Sequence, residues 1–584
     1  MAYLGRIAAQ SNNLETACEW LSMALEMPGT QNDADIHFEL GCFLELKANT
    51  DEGMELALKS YGRACDLDIN NHSAFFNKAN IHKKRGEWQE ALKAYNSAIF
   101  IDSSNPYYYN NRGDLLLALK SLSFAEKDFQ NAVELAPSVS YFYDNMGNIL
   151  GELNQLGAAK VCYKKSLVID PQNAFTYNNM GNLFLAEEVW DKALACYEMA
   201  LRLAPTFYQA LYNKGLLYQR FNLFQEALKC YQRALEIHPQ SFEVLWNITI
   251  IQLTYVDFEK GLLGYENRWS LPENRGLYPK TEVPQLRPGT RYKRLLVWAE
   301  HGLGNEIFWA NFLRHPEFAD KEITAKFDPR LKDMLSVALK DKISIEFRDD
   351  ISEVVRGEYD AHLPLSSLLI HLGINPKKPS KDFIFNTPYL KANDPSKVAQ
   401  ARQGLGVISE KELLVGIAWS SVNQKTGARR SIKLVQLLRV FTGLPIKCVS
   451  LQYGEVEDEI LSSATSLGKN NNGQGSYPDL QVLQYKDVDN YADINGLSNL
   501  VQACDLVISI DNSVLHLASA MGKPTCALLA FVADWRWFTG TDLSPWYKNT
   551  KLYRQTKWGE WDSPLRLLRS DLERIVSTRW DQKP

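Results

Sequence analysis

The sequence lacks the features that mark a redox, nucleic-acid-binding or membrane protein. Its nine cysteines show neither CxxC nor Cys/His spacing, so we expect no metal site, no disulfide, and a reducing, cytoplasmic setting. The formal charge of -5 and the pI near 6.1 provide no basic field, so nucleic acid is not an expected partner. No run of roughly 18 apolar residues occurs, so no membrane span is expected. Residues 1–10 do not resemble a signal peptide.

The first half of the chain repeats with a period of 34 residues. At 584 residues the chain is too long for one hydrophobic core, so several domains are expected. Small residues recur, each followed by an alanine twelve residues later and an aromatic residue four further on, at Ala79, Gly113, Gly147, Gly181 and Gly215. Small residues at such offsets let two helices touch while the aromatic ring fills the space beside them. The pattern is typical of tetratricopeptide (TPR) repeats.

The repeat extends beyond these five units in both directions. Gly41, Ala57 and Tyr61 form an earlier unit with an insertion, and Gly5 lies in a truncated one. Residues 246–269 indicate a last, degenerate helix pair, as expected for a terminal repeat that has a neighbour on one side only. The sequence therefore predicts a TPR α-solenoid over residues 1–268.

A row of asparagines runs through the first helix of the repeats. They recur every 34 residues, at Asn77, Asn111, Asn145, Asn179, Asn213 and Asn247. An asparagine amide both donates and accepts hydrogen bonds, so such a row can hold an extended polypeptide backbone whatever its side chains. The array resembles the one fused to protein O-glycosyltransferases, in which such a ladder holds acceptor polypeptide. A purely structural ladder, kept for local hydrogen bonding, is the alternative.

The second half changes to short apolar runs that alternate with helices. Residues 269–291 contain several prolines and predict a linker. Strands are predicted at residues 295–299, 343–347, 413–418, 448–451, 506–510 and 525–529. Their alternation with helices favours parallel sheets in two Rossmann-like halves, 292–395 and 396–562, with a closing helix at 563–584. The predicted fold class is thus α + α/β.

Two strand-to-helix turns are candidate ligand sites. The first, His301–Glu306, contains Gly302 and Gly304, which let a backbone approach a ligand closely; a merely structural turn is equally compatible. The second, Asp511–Ser513, follows a predicted strand and opens a helix that carries His516, which is itself either a ligand or a packed core residue. Free amides and the helix dipole attract anions to such a helix start.

The second turn and its surroundings resemble the nucleotide-sugar site of heptosyltransferase-like GT-B glycosyltransferases. The wider match is to the bacterial TPR-fused branch of that superfamily and covers nearly the whole chain. It depends on residues 416–420, 451–454, 511–513, 516–518, 522–524, 535–537, 546–547 and 559–561. The resemblance implies a GT-B fold with residues 292–395 on the acceptor side and 396–562 on the nucleotide-sugar side. It also implies a metal-independent transferase without a cofactor, and a protein acceptor of the flagellin or autotransporter kind.

Several residues receive roles in donor binding. The amides of Asn512 and Ser513 are expected to stabilise the leaving phosphate, and Asp511 to orient the site. Three basic residues of one loop are expected to supply positive charge for the phosphate: Lys425, Arg429 and Arg430. The alternative is that this loop is simply solvated. The base of the nucleotide is expected near another strand end, at Gln452 and Tyr453, and Ser420 belongs to the matched motif.

One position departs from the family pattern. Related enzymes place an aspartate, the general base, directly after the second glycine of the first turn, where this chain has Asn305. An amide takes no proton at neutral pH, so Glu306 or His301 is the candidate base. Two alternatives therefore stay open. One is a non-catalytic TPR adaptor with a degenerate transferase domain, and the other is a glycan- or lipid-directed enzyme whose repeats serve oligomerisation.

Overall fold

The protein folds into two compact units, Met1–Leu217 and Tyr218–Pro584, in a computed structural model of the chain. The structure describes all residues except 12, 49, 272–273, 275, 277, 279–280, 288, 301, 341–343, 348–356, 379–384, 408–411, 424–426, 468–480 and 582–584. Within the described residues, no helix is long and apolar enough to cross a membrane. No disulfide joins any of the nine cysteines, all of which are described.

The first unit is built from helices that pack in consecutive pairs. They are α1 (Ala2–Gln10), α2 (Leu14–Glu26), α3 (Ala34–Lys47), α4 (Asp51–Leu67), α5 (His72–Lys84), α6 (Trp88–Ile101), α7 (Pro106–Ala118), α8 (Leu122–Leu135), α9 (Ser140–Glu152), α10 (Leu156–Ile169), α11 (Ala174–Ala186) and α12 (Trp190–Leu203), with α13 (Tyr208–Arg220) crossing its end. Each pair corresponds to one repeat unit of the sequence, so the predicted helical solenoid is confirmed in this unit.

The repeated small residues lie where two helices touch. A Cβ placed on Gly147 would come within 2.5 Å of Cε1 of Tyr163, and one placed on Gly181 within 2.5 Å of Cε1 of Tyr197. Both rings are buried, and the alanines that precede them by four residues are completely buried. Close packing of this kind leaves no room for a larger side chain at these glycines.

The turn inside five consecutive repeats passes through the left-handed region of the backbone. The dihedral φ is 75° at Gly86, 59° at Asn154 and 56° at Asn222, which are the residue types that tolerate it best. Lys120 and Glu188 occupy the same place with φ of 58° and 59°. For ordinary side chains such as those of Lys120 and Glu188, this backbone conformation costs about 1 kcal/mol per residue. The 34-residue period therefore appears in the backbone as well as in the packing.

The second unit combines helices with parallel strands. Its helices are α14 (Phe224–Ile237), α15 (Phe242–Ile251), α16 (Phe258–Gly264), α17 (Leu303–Ala310), α18 (Lys332–Leu339), α19 (Leu368–Leu372), α20 (Pro395–Gly404), α21 (Gly427–Arg430), α22 (Leu434–Leu438), α23 (Glu457–Leu467), α24 (Ile494–Ala503), α25 (Ser513–Ala520) and α26 (Asp562–Asp581). Its strands are β1 (Arg294–Trp298), β2 (Glu322–Lys326), β3 (Ser344–Phe347), β4 (Ala361–Pro364), β5 (Leu413–Ala418), β6 (Ile446–Ser450), β7 (Val482–Leu483), β8 (Leu506–Ile510), β9 (Thr525–Leu529) and β10 (Thr550–Arg554).

The strands form two sheets with parallel pairing. The first has the order β3-β2-β1-β4 and the second β10-β9-β8-β5-β6-β7. Counted within itself, the second sheet has the order 3-2-1-4-5-6, that of doubly wound dinucleotide-binding sheets. The predicted parallel sheets are therefore confirmed. The sequence did not predict β2, β4, β7 or β10, which are short or partly polar.

The segment before the first sheet is packed onto it. Arg268, at the end of the predicted solenoid, donates from Nε to Oε2 of Glu300 at 2.8 Å and from Nη2 to Oγ of Ser367 at 2.7 Å. In the predicted linker, Leu286 N donates to the carbonyl of His362 at 2.8 Å and extends the β4 edge. These bonds join Arg268 and the predicted linker to the first sheet, within the compact unit that begins at Tyr218.

Candidate functional site

A cleft of about 330 Å³ opens at the carboxyl ends of β5 and β8. The strand order of the second sheet reverses between these two strands, and open α/β sheets bind ligands at such a point. The cleft is lined by Gly302, Leu303, Gly304, Asn305, Arg330, Ser421, Val422, Asn423, Arg430, Tyr453, Asn490, Tyr491, Ile494, Asp511, Asn512, Ser513, His516 and Arg536. Loops from both sheets therefore build one site.

The start of α25 forms one wall of this cleft. Asn512 caps the helix, because its Oδ1 accepts from Val514 N at 3.0 Å and from Leu515 N at 3.2 Å. Ser509 Oγ also donates to this oxygen at 2.9 Å. The amide nitrogen Nδ2 of Asn512 is buried and has no hydrogen-bond partner among the described residues. The side chain thus offers a buried donor beside the positive end of a helix dipole.

The glycine turn after β1 lines the cleft directly beside the start of α25. Gly302 is the N-cap of α17, and Gly304 follows in its first turn. A Cβ on Gly304 would lie 3.0 Å from Cδ2 of His516 and 3.1 Å from Cα of Ser513. Glycine at this position therefore lets the starts of α17 and α25 approach each other closely. The two predicted turns meet in one place, whereas His301 lies outside the described residues.

Two arginines and two aspartates set the charge of the cleft. Arg536 Nε pairs with Oδ1 of Asp534 at 2.9 Å, and Arg430 Nη1 lies 3.3 Å from Oδ2 of Asp511. Burial by itself lowers the pKa of Arg536, but Asp534 and Asp511 outweigh it, so that pKa is raised. Arg536 also donates to the side-chain oxygen of Asn305. The predicted phosphate ligand Arg430 therefore lines the cleft with a second, unpredicted arginine.

Asp511 and His516 are buried beneath the start of α25. Burial raises the pKa of Asp511, and burial followed by the charge of Arg536 lowers the pKa of His516, so the imidazole is neutral at pH 7. His516 Nδ1 lies 3.0 Å from the hydroxyl of Tyr547, and Nε2 lies 3.8 Å from Oδ1 of Asp511. The ring also stacks on Trp537. His516 is thus a packed residue with one edge on the cleft.

Arg330 adds a third cation from the first sheet. Arg330 follows β2 and forms a bidentate ion pair with Asp328, with Nε at 2.8 Å and Nη2 at 2.6 Å from the carboxylate oxygens. Its Nη1 donates to the carbonyl of Tyr491 at 2.8 Å, and the guanidinium lies 4.7 Å from the centre of that ring. Arg330 therefore links the two sheets across the cleft.

Gln452, in the loop after β6, is hydrogen-bonded mainly to the backbone of the segment that follows β5. Its Oε1 accepts from Trp419 N and Ser420 N, both at 2.9 Å, and its Nε2 donates to the carbonyls of Ser420 and Tyr453. These bonds occupy the side chain of Gln452, which lines a second cavity beside the main cleft and not the cleft itself. Tyr453 lines both the cleft and an adjacent cavity of about 300 Å³ that extends along the ends of β6 and β7.

Two further predicted residues, Glu306 and Arg429, lie outside the lining of the cleft. Glu306 is turned toward β2, where its Oε2 accepts from Asp328 N at 2.6 Å, and burial raises its pKa to about 7. The guanidinium of Arg429 lies 5.9 Å from the ring of Trp558, and burial lowers its pKa. Lys425 lies outside the described residues. In the part of the chain that the structure describes, no three His, Cys, Asp or Glu side chains are grouped to hold a metal ion.

The ladder asparagines of the first unit are bonded to other residues of the preceding repeats. Each donates from Nδ2, namely Asn77 to Tyr61 at 3.2 Å, Asn111 to Asn80 at 3.1 Å, Asn145 to Asn110 at 2.8 Å, Asn179 to Asn148 at 3.0 Å and Asn213 to Asn178 at 3.0 Å. Asn247, which belongs to the second unit, is half-buried. The ladder therefore exists as a structural network, and each amide keeps part of its bonding capacity beyond these bonds.

The first half of the chain contains TPR repeats, and the second half contains parallel sheets. Family models described as Tetratricopeptide repeat match residues 140–173 and 180–244, and one described as TPR repeat matches 79–120, which confirms the predicted repeats. The chain is also similar to Protein FlbA of Caulobacter vibrioides, with 25% identity over 322 residues. The match covers 52% of this chain and 50% of that protein, so the chain spans about half the length of this relative.

Solved structures similar to the chain include two TPR proteins. One is YrrB, described as a TPR protein with an unusual peptide-binding site, at 21% identity and a TM-score of 0.26, covering 32% of this chain and 97% of YrrB. The other is a tetratricopeptide repeat protein from Parabacteroides merdae, at 16% identity and a TM-score of 0.38, covering 43% of this chain and 96% of that one.

Sequence reasoning gave no role to two arginines of the cleft. Arg536 lies in residues 535–537, which belong to the matched motifs, and Arg330 follows the unpredicted strand β2. The position of each after the carboxyl end of a strand is the signal that points to them. Recognising it requires all strands of both sheets to be assigned first.

Proposed function

We propose that the chain is a GT-B glycosyltransferase that takes a nucleotide sugar and modifies a polypeptide held by its TPR repeats. The observation that carries the proposal is the cleft at the order reversal of the second sheet, where Arg430 and Arg536 face the start of α25. A diphosphate has the charge and the oxygen acceptors that such a group of donors binds. A peptide partner is the usual ligand of TPR arrays, which supports the acceptor half of the proposal.

The nucleotide sugar fits the cleft and the adjacent cavity together. The diphosphate lies at Asn512 and Ser513. There the buried Nδ2 of Asn512 can donate a hydrogen bond to it, and the helix dipole favours its negative charge. The nucleoside extends from there past Tyr453 into the cavity along β6 and β7. The sugar then faces the glycine turn at Gly304. The donors are fixed before any ligand arrives, which is the arrangement that stabilises charge on a leaving phosphate.

A second candidate function is nucleotide-sugar binding without transfer. It is favoured by Asn305, whose oxygen is occupied by Arg536, and by Glu306, whose carboxylate is turned to Asp328 N. Of the residues that line the cleft, Asp511 carries the one carboxylate, and that group is paired with Arg430. A general base for the acceptor hydroxyl is therefore not evident among these residues, and binding and transfer have to be measured separately.

The decisive experiment measures binding first and transfer second. Purified full-length protein is heated with a panel of nucleoside diphosphates and nucleotide sugars, and a ligand that binds the folded state raises the Tm by mass action. Arg430→Ala is expected to abolish the shift, whereas Arg429→Ala, outside the cleft lining, is expected to keep it. Transfer is then followed by intact-mass spectrometry of a serine- and threonine-rich peptide. The proposal is overturned when no member of the panel changes the Tm at millimolar concentration.

A further inference from the structure

Exposed aromatic rings follow the asparagine ladder along three repeats. Tyr107, Tyr141 and Phe175 are 34 residues apart, at the second residue of α7, α9 and α11, and they are 47%, 39% and 65% exposed. Each precedes a ladder asparagine by four residues and so shares its helix face. The Tyr107 and Tyr141 ring centroids are 6.5 Å apart, so these rings form a continuous surface.

A carboxylate completes this surface. Asp114 lies seven residues after Tyr107 on α7, again on the same face, and its side chain keeps 37% of its exposure. Burial raises the pKa of the Tyr141 hydroxyl to about 12, and Tyr107 and the charge of Asp114 contribute to this increase. The nearest cation is Lys83, whose Nζ lies 3.4 Å from Oδ2 of Asp114 with 29% of its side chain exposed. Such a half-exposed pair contributes little and is readily exchanged.

The charge of the whole unit has the same sign as this carboxylate. Residues 1–217 contain 18 lysines and arginines against 26 aspartates and glutamates, a net charge of -8, whereas residues 218–584 contain 46 and 43, a net charge of +3. The first unit thus carries more than the total negative charge of the chain. A field of this kind attracts cations and repels acidic partners.

We propose that Tyr107, Tyr141 and Asp114 form a subsite for the lysine or arginine side chains of an extended polypeptide held along the ladder. Ring faces attract a cation through their quadrupole, and a carboxylate adds a charge-assisted hydrogen bond. The inference rests on the peptide-binding part of the proposed function and adds the class of peptide: basic segments are preferred over neutral or acidic ones.

The test compares two peptides whose lysines are charged in one and acetylated, and therefore neutral, in the other. The probes are fluorescein-labelled twelve-residue peptides of Ser-Lys-Ala repeats, one with lysine and one with acetyl-lysine, and their binding to the full chain is measured by anisotropy. The lysine peptide is expected to bind at least about tenfold more tightly, and higher salt should reduce the difference. The double variant Y107L/Y141L and the variant D114N should each remove most of this preference. F100L and E90Q, exposed changes on α6, serve as matched controls.

The outcomes separate this inference from the function on which it rests. Equal binding of the two peptides overturns the cation subsite and leaves peptide binding in place. Binding of neither peptide overturns both. A preference that persists in Y107L/Y141L and in D114N shows that basic residues are recognised elsewhere and also overturns the assignment. Circular dichroism of each variant establishes that it is folded before its affinity is interpreted.

Discussion

The guanidinium of Arg536 donates a hydrogen bond to the side-chain oxygen of Asn305. Arg536 follows β9 of the six-stranded sheet, and Asn305 lies in α17 after β1 of the four-stranded sheet, so this bond joins the two sheets at the cleft. An amide oxygen accepts the bond without bringing a charge. This position is therefore neutral, and the cleft keeps more positive charge.

Asn305→Asp is expected to weaken the binding of nucleoside diphosphates. A carboxylate at this position pairs with Arg536 and opposes the incoming phosphates, at a cost of about 1 kcal/mol, or roughly fivefold in Kd. Isothermal titration calorimetry measures the change. Asn393→Asp adds the same charge at an exposed position outside the cleft lining and should leave the affinity unaltered. Tighter binding in the Asn305 variant would contradict this account of the cleft charge.

Arg430→Ala is expected to abolish diphosphate binding and to raise the pKa of Asp511 further. The arginine lies 3.3 Å from that buried carboxylate and lowers its pKa against the effect of burial. Without this partner Asp511 takes up a proton, since an unpaired buried charge is costly. Calorimetry at pH 7 measures the loss of binding, and Arg429→Ala is the control with the same change of charge. Similar affinities in the two variants would show that phosphate binds elsewhere.

The repeats were predictable because their signals are local and repeated. Gly147 and Tyr163 lie within one unit of 34 residues, and the same pair recurs as Gly181 and Tyr197. Each unit supplies the same packing geometry, so one correct unit predicts the others. The apolar strands β5, β8 and β9 were predictable for a related reason, because full burial in a parallel sheet demands uninterrupted apolar runs.

The composition of the cleft was only partly predictable from the sequence. Asp511, Asn512 and Ser513 are adjacent to a clear strand and were found from it. Arg536 and Arg330 reach the same cleft from other strand ends, more than 200 positions apart in the chain, and only the sheet order brings them together. The hydrogen bonds from Gln452 to the backbone were equally unpredictable, because most of its partners follow a neighbouring strand.

Glu306 is expected to make stability depend on pH. Burial raises its pKa to about 7 from an ordinary value of 4.5, so the folded state binds more protons than the unfolded state between these values. Stability is therefore lost as the pH rises from about 4.5 to about 7, by up to about 3 kcal/mol for this group. Glu306→Gln removes the titration and keeps an oxygen that accepts from Asp328 N.

Urea unfolding of the two proteins at pH 5 and pH 8 measures this effect. Glu306→Gln should gain stability relative to the unaltered chain when the pH is raised from 5 to 8. The control is Glu317→Gln, which changes a carboxylate outside this buried contact. A difference between the proteins that stays constant with pH would mean that Glu306 titrates normally, and its suitability as a base near pH 7 would fall with it.

Gly181→Val is expected to destabilise the first unit. A Cβ at this position comes within 2.5 Å of the Tyr197 ring, and forcing extra methyl groups into a filled core costs about 3 kcal/mol. The matched control is Gly157→Val on α10, where nothing lies within 4 Å of the added Cβ. Thermal unfolding followed by circular dichroism should show a large loss of Tm for the first variant only. Equal losses would indicate that helix propensity alone decides the effect.

Asn179→Ala separates the two interpretations of the asparagine ladder. Its Nδ2 donates to Oδ1 of Asn148 at 3.0 Å, and that oxygen keeps a second bond from Tyr163 at 2.7 Å, so the loss of stability should be about 1 kcal/mol. Asn173→Ala removes the N-cap of the same helix at a similar cost without touching the ladder. If the ladder binds peptide, Asn179→Ala weakens peptide affinity and Asn173→Ala does not. If it is purely structural, both variants lose stability alike and bind peptide as the unaltered chain does, because a folded molecule of either variant presents the same surface.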